Sequence, residues 1–308
     1  MNNEHWSNAI FKQKMISLSS LGEGRQHSLE LIELSDQSKW VCKKFYSQTW
    51  LGKVEESNLE LTEELAAQIA VELGITFAAY RKNDKFVFTI EGVKAIIRPY
   101  CEGQVIEAIN KEQALILGGV LAQLHLPHFS QKNAQPFPAI LLPGNHDSHS
   151  PVWARELISF CNDNSHYQAE NWVFSHRDIH AENIVWRGKK TPHLLDWESA
   201  GLIHPAIELI GLAENCAGLA YGDFQAQRFR ATLMGYGQST RKLPPIDSKL
   251  WMLSFHTWLL WYSYCLQQNW LEEAKYTLEL IEFIRENLPE MQKIYSNCQS
   301  FFSNSIRE

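Results

Sequence analysis

Between two apolar runs the chain reads FSHRDIHAENIVW over residues 174–186, and LLDWESAG follows over 194–201. His176, Asp178 and Asn183 thus share one polar stretch, with Asp196 and Glu198 just past the next apolar run. Oxygen-bearing side chains in this pattern suit a hard divalent cation. Mg2+ takes one or two carboxylates and completes its octahedron with amide or water oxygens and with the phosphate oxygens of a substrate. Asn183 and Asp196 supply that set. Asp178 is then left to accept a hydrogen bond from an attacking hydroxyl, as general base or orienting group. A lone His-x-Asp more often caps a turn, whereas the whole run H-x-D-x-x-x-x-N, apolar strand, D-x-E is rare enough to carry a functional reading.

Short strands must hold these groups. Strand-like WVF leads into the polar stretch, strand-like IVW leaves it for Arg187-Gly188, and HLL leads to Asp196. A hairpin of this kind is expected to bring the loop carrying Asp178 and Asn183 near the strand end at Asp196. Upstream, HSLELIEL (27–34) and KWVCKKF (39–45) flank the turn-like SDQS, and KFVFTI and KAIIRPY flank Glu91-Gly92, which predicts two hairpins. Between them Leu61, Leu65, Ile69 and Leu73 repeat every four residues and Gly74 follows, the pattern of one amphipathic helix with its stop. After RPYCEGQ (98–104) helical spacing dominates. Asn110 with Gln113 predicts a capping box, and Ser150-Pro151 a helix start with Pro in the first turn. The expected fold class is α+β, a two-lobed arrangement with an antiparallel sheet plus helix in residues 1–100 and a mainly α-helical lobe in 101–308.

With 308 residues, 45% hydrophobic and 20% charged, the chain is long enough for two lobes and too apolar for disorder. The formal net charge of -7 argues against a nucleic-acid partner, which needs clustered Lys and Arg. The six cysteines include no C-x-x-C pair, so no zinc knuckle or redox pair is expected. No apolar run approaches ~20 residues, so no membrane span is expected, and a cytoplasmic location is the corresponding expectation. No feature points to a protein partner.

Taken in order, LGEGRQHS, VCKKFY, the helix with Glu63 and Glu64, IRPYCEG, LAQLH, HRDIHAEN and LLDWESAG resemble the aminoglycoside phosphotransferase and choline kinase superfamily, the small-molecule relatives of protein kinases. The stretch LLDWESAGLIHPAIELIGLAE is most similar to bacterial thiamine kinases and to choline kinases. The resemblance implies ATP, Mg2+ and phosphoryl transfer to an alcohol, with Asp178 as catalytic base and Asn183 and Asp196 as metal ligands. It also implies that one lysine of VCKKFY anchors the ATP phosphates and pairs with Glu63 or Glu64. Strand alternation lets only one of Lys43 and Lys44 face the site; Lys44 is preferred, because Cys42 two residues earlier offers a small side chain above an adenine. Gly22 and Gly24 would form the turn over the phosphates, His176 would brace the loop, and His180 and Glu198 would lie near substrate. Glu208 is expected to be structural.

Only eight residues separate Glu198 from Ile207, where helical spacing resumes. A peptide-docking activation segment is longer and carries an A-P-E anchor, so the acceptor should be small. Trp258 and Trp261 in SKLWMLSFHTWLLWYSYCLQQNW could face a quaternary ammonium or thiazolium cation. Aromatics at helical spacing are nonetheless more often core. Thiamine and choline- or ethanolamine-like alcohols rank ahead of aminoglycosides, and a catalytically idle nucleotide-binding module is the reading from another class.

Overall fold

The computed structural model describes residues 6, 10–23, 26–125, 133–144 and 150–305. Its contacts divide the chain into two compact units, one of residues 1–103 with 193–199 and one of 104–192 with 200–308. The segment His193–Ser199, which a boundary at residue 100 leaves to the second lobe, belongs with the first.

In the first unit β1 (Met15–Glu23), β2 (His27–Leu34), β3 (Lys39–Phe45), β6 (Val87–Ile90) and β7 (Val93–Pro99) form an antiparallel sheet in the order β1-β2-β3-β7-β6. A small ribbon of β4 (Gln48–Thr49) and β5 (Gly52–Lys53) follows β3. Both expected hairpins are present. The helix between them, α1 (Glu56–Leu73), ends where Gly74 adopts the left-handed conformation (φ 65°) and donates its N–H to the Ala70 carbonyl. Leu59 of this helix joins Phe45, Ala79, Phe86, Val87 and Ile96 on one face of the sheet. On the other face Ile32, Leu34, Cys42, Ile90, Ala95 and Ile97 pack with Ile10 and Met15. Each Val, Leu, Ile, Phe or Met among them contributes roughly 1.5–3 kcal/mol on burial, so neither face can be turned to water cheaply.

Gly22 lies inside β1, at a register irregularity after Ser20, with a φ of 152° that few other residues adopt. It is therefore a strand residue and not part of a turn. Gly24 lies outside the described residues.

The second unit is mainly helical, as expected. Its elements are α2 (Lys111–Leu124), α3 (Val152–Asp163), β8 (Val173–Ser175), β9 (Ile184–Arg187), β11 (Gly201–Ile203), α4 (Pro205–Ala217), α5 (Ala226–Thr240), α6 (Ser248–Leu253), α7 (His256–Gln267) and α8 (Leu271–Ser305). The strand β10 (Thr191–Leu194) carries the chain from this unit into the first. The capping box forms in both directions between Asn110 and Gln113. Pro151 is the N-cap of α3 itself, one position before the expected one. Helices α2 and α5 cross closely because two glycines let them: a Cβ on Gly118 would stand 2.0 Å from the Thr232 carbonyl oxygen, and one on Gly235 1.9 Å from that of Leu115. Among the described residues no helix is long and apolar enough to cross a membrane.

Candidate active site

In the first unit the segment after β10 is anchored on the residues that follow α1. The Leu194 N–H donates to the Ile75 carbonyl at 2.7 Å, and the Thr76 hydroxyl donates to the Leu194 carbonyl at 2.8 Å. The buried Trp197 indole N–H donates to the Thr76 hydroxyl oxygen at 2.9 Å, and His193 stacks on Phe77. Between these anchors Asp196 takes a left-handed backbone (φ 62°), a conformation that Asp tolerates better than most residues. This turn sends its carboxylate to Lys43: Nζ lies 2.5 Å from Asp196 Oδ1 and 2.7 Å from Glu198 Oε2. Burial works against the Lys43 ammonium, but the two carboxylates outweigh it and hold its pKa above the ordinary lysine value.

The lysine beside Asp196 is thus Lys43 and not Lys44. Lys44 shares its side of β3 with Cys42, and Cys42 belongs to the core cluster on that face. There Lys44 Nζ pairs with Glu30 at 2.8 Å and with Glu91 at 2.7 Å. Cys42 is fully buried in that cluster and offers no surface to a purine. Among the described residues neither Glu63 nor Glu64 holds a lysine. Glu63, 2% exposed, accepts from Arg98 Nη2 at 2.5 Å, while Arg98 Nη1 donates to the Phe77 carbonyl at 2.7 Å. Among the described residues Glu64 pairs with Arg81, at 3.5 Å and near the surface. Both carboxylates are legible from the helical pattern, whereas Arg98, in the hinge-like IRPYCEG, carries no signal of its own in the sequence.

In the second unit the polar stretch begins at the end of β8, which pairs antiparallel with β11. His176 is fully buried. Arg177 has a left-handed backbone (φ 65°), and its N–H donates to Glu208 Oε1 at 2.7 Å. Its guanidinium lies over the Phe137 ring and donates to the carbonyls of Gln135 and Leu202. Burial pushes this guanidinium down to about 9, against the pull of Glu208 and Asp178. Glu208 also meets His125 Nε2, whose other ring nitrogen meets the Tyr236 hydroxyl. Burial opposes ionisation of Glu208, yet its bonds to His125, Ser175 and the Arg177 N–H hold it below the ordinary carboxyl value. Glu208 is structural in this sense: it fixes the strained residue immediately before Asp178.

The loop that follows is tied at both ends. The Asn183 amide donates to the Asp178 carbonyl at 3.0 Å and to Asp178 Oδ2 at 3.3 Å, and Asn215 of α4 donates to the Ile179 carbonyl at 3.2 Å. His180 Nε2 stands 3.7 Å from Asp178 Oδ1, and both side chains remain about a third exposed, at 33% and 29%. A carboxylate held on one oxygen by an amide and open to solvent on its flank can receive a hydroxyl proton.

The two tryptophans differ. Trp258 donates its indole N–H to Glu214 Oε2 at 3.3 Å, and burial pushes the Glu214 carboxyl up to about 8 despite that bond. Trp261 packs among Tyr264 and Trp270 beside a buried cluster of Tyr262, Cys265, Leu266 and Ala274, the core role that helical aromatics usually have.

The donor chemistry fits a hard divalent cation. Asp196 and Glu198 already hold a positive charge, the Lys43 ammonium, between two carboxylates. In the second unit, with the Asn183 amide nitrogen committed to Asp178, its amide oxygen is the remaining donor atom.

An antiparallel sheet with one helix, followed by a mainly helical unit, is the protein-kinase-like fold. The chain belongs to the phosphotransferase enzyme family, whose model matches residues 34–244, and by that membership it is a small-molecule kinase. Solved structures agree on the fold. A spectinomycin phosphotransferase in complex with ADP and spectinomycin superposes with a TM-score of 0.63 at 14% identity, over 91% of this chain and 95% of that one. The choline kinase of Streptococcus pneumoniae gives 0.61 at 14% identity over 92% and 97%. The Plasmodium vivax ethanolamine kinase gives 0.60 at 15% identity over 90% and 83%. No curated protein matches the chain significantly.

Proposed function

We propose that the protein transfers the γ-phosphoryl group of ATP to the hydroxyl of a small cationic metabolite, an amino alcohol of the choline or ethanolamine kind or thiamine, with Mg2+ as the metal. The observations that support this reading are two constellations, each within its own unit: Lys43 with Asp196 and Glu198 in the first, and Asp178 with Asn183 in the second. The first unit is the nucleotide-binding lobe and the second the catalytic and substrate-binding lobe.

In this reading Lys43 holds phosphate oxygens, and Asn183 and Asp196 hold the metal through oxygen donors. The metal, when bound, neutralises charge on the phosphates. Asp178 orients the acceptor hydroxyl and takes its proton as the new O–P bond forms and the bond to the departing diphosphate breaks. Catalysis of this type is mostly positioning and charge stabilisation. Glu198 shares Lys43 with Asp196 and steadies it, and His180, beside Asp178, lines the acceptor approach. A cationic acceptor accords with the net charge of -7, and the half-buried ring of Trp258 is a candidate aromatic face for it.

An aminoglycoside-type acceptor is the second reading, favoured by the likeness to the spectinomycin enzyme. One panel separates the two: Mg2+-dependent ATP turnover with thiamine, choline, ethanolamine and several aminoglycosides. Turnover confined to the first three supports the proposal, and turnover confined to aminoglycosides replaces it. If nothing turns over, the chain is an idle relative, and a thermal shift with ATP and Mg2+ tells whether it still binds nucleotide, since specific binding at 100 Kd stabilises by about 2.7 kcal/mol.

A further inference from the structure

One residue of the first unit that the phosphoryl-transfer reading leaves out lies against its carboxylates. His27 opens β2, at the position paired with Phe45 on β3, one strand over from the lysine. His27, Asp196 and Glu198 each offer a ligand atom within 4.8 Å of the other two. The His27 Nδ1 is buried and has no hydrogen-bond partner among the described residues. An imidazole with one buried nitrogen unsatisfied and two carboxylates within reach is costly unless something with positive charge, or a proton to give, meets it.

The donor types decide what that would be. Mg2+ demands oxygen ligands and gives up its water reluctantly. One imidazole nitrogen with two carboxylate oxygens is instead a set that Mn2+, Co2+ and Zn2+ accept, because nitrogen affinity rises along the first-row divalent series. Lys43 occupies this place with a single positive charge against two negative ones. A dication there would neutralise both carboxylates and release the ammonium for an anionic ligand.

We infer that the first unit binds a first-row divalent metal ion, such as Mn2+, through His27, Asp196 and Glu198 in the absence of nucleotide, and prefers it to Mg2+. The inference rests on the reading of Asp196 as a metal ligand and adds to it the third ligand and the choice of ion.

The test uses the full chain without nucleotide, titrated with Mn2+ and read by electron paramagnetic resonance, with Mg2+ as competitor. The expected result is stoichiometric Mn2+ binding, a hyperfine coupling from an imidazole nitrogen, and at least a ~10-fold weaker affinity in His27→Gln, as for losses of groups that support a metal. Asp196→Asn should weaken it as well. Binding without nitrogen coupling, or a His27→Gln variant that binds like the wild type, overturns the role of His27 and leaves Asp196 as a ligand. An Asp196→Asn variant with undiminished binding overturns both readings. No binding at all, or displacement by equimolar Mg2+, overturns the proposed site. The nitrogen coupling is measured on the wild type, so a poorly folded variant does not blunt the test.

Discussion

Lys43 Nζ and Asp196 Oδ1 lie 2.5 Å apart although the two residues are 153 positions apart in the chain. The contact joins the middle of β3 to the turn after β10, within one unit. It makes Lys43, and not Lys44, the lysine that meets the Asp196 carboxylate. Replacing Lys43 by Met should lower turnover by ~10²-fold or more, the loss typical of removing a charge-stabilising donor. Lys44→Met, which disturbs only Glu30 and Glu91, should change turnover by no more than a few-fold. Steady-state kinetics at saturating nucleotide compares them, and equal losses would remove the distinction.

Asp178 is held by Asn183 and flanked by His180. Asp178→Ala should cost ~10²- to 10⁴-fold in kcat, the range for a positioned general base, while nucleotide affinity changes little. Kinetics on the best acceptor of the panel, together with a nucleotide titration, reads both quantities. Normal turnover in the variant would mean the proton goes elsewhere.

The Glu63–Arg98 pair is a matter of stability. Glu63 is 2% exposed, so Glu63→Ala leaves a guanidinium with little solvent to turn to and should cost about 3–5 kcal/mol. The neighbouring Glu64→Ala removes a 3.5 Å contact near the surface and should cost within about 0.5 kcal/mol. Urea unfolding of the two variants provides the comparison. A small loss for Glu63→Ala would show that Arg98 finds another partner.

Glu214 gives the protein a pH slope. Its carboxyl is raised by burial from 4.5 to about 8 in the folded chain. Between those values the folded state keeps a proton that the unfolded state has released, so stability falls as pH rises, by up to ~1.4 kcal/mol per unit, and levels off above 8. Glu214→Gln keeps an acceptor for the Trp258 indole and removes the titration. The variant should therefore gain on the wild type in Tm from pH 6 to pH 8. Parallel Tm curves for the two proteins would exclude a buried neutral Glu214. His27 and His204, both pushed down to about 4 chiefly by burial, act in the other direction: their share of stability is lost as pH falls through the range from 6.5 to 4.

Much of this molecule is readable locally. The α1 helix and its Gly74 stop, the Asn110–Gln113 box and the two hairpins follow from spacings of a few residues, and so does the run from His176 to Asn183. Each is a matter of neighbouring side chains and backbone groups meeting within a turn or across a tight loop. The motif residues and the fold class are legible for the same reason.

The sequence by itself determined which residue types stand in the polar stretch and which elements carry them. Only the tertiary structure decided which lysine meets Asp196, that Glu63 serves Arg98, and that His27 adjoins the same carboxylates. The reason is physical. Alternation along β3 separates Lys43 from Lys44 but does not say which face is which, because both faces of the sheet are buried, one under α1 and the other against Ile10 and Met15. That choice falls to packing between segments distant in the chain, and the anchoring of His193–Ser199 beside residues 75–77 settles it for Lys43.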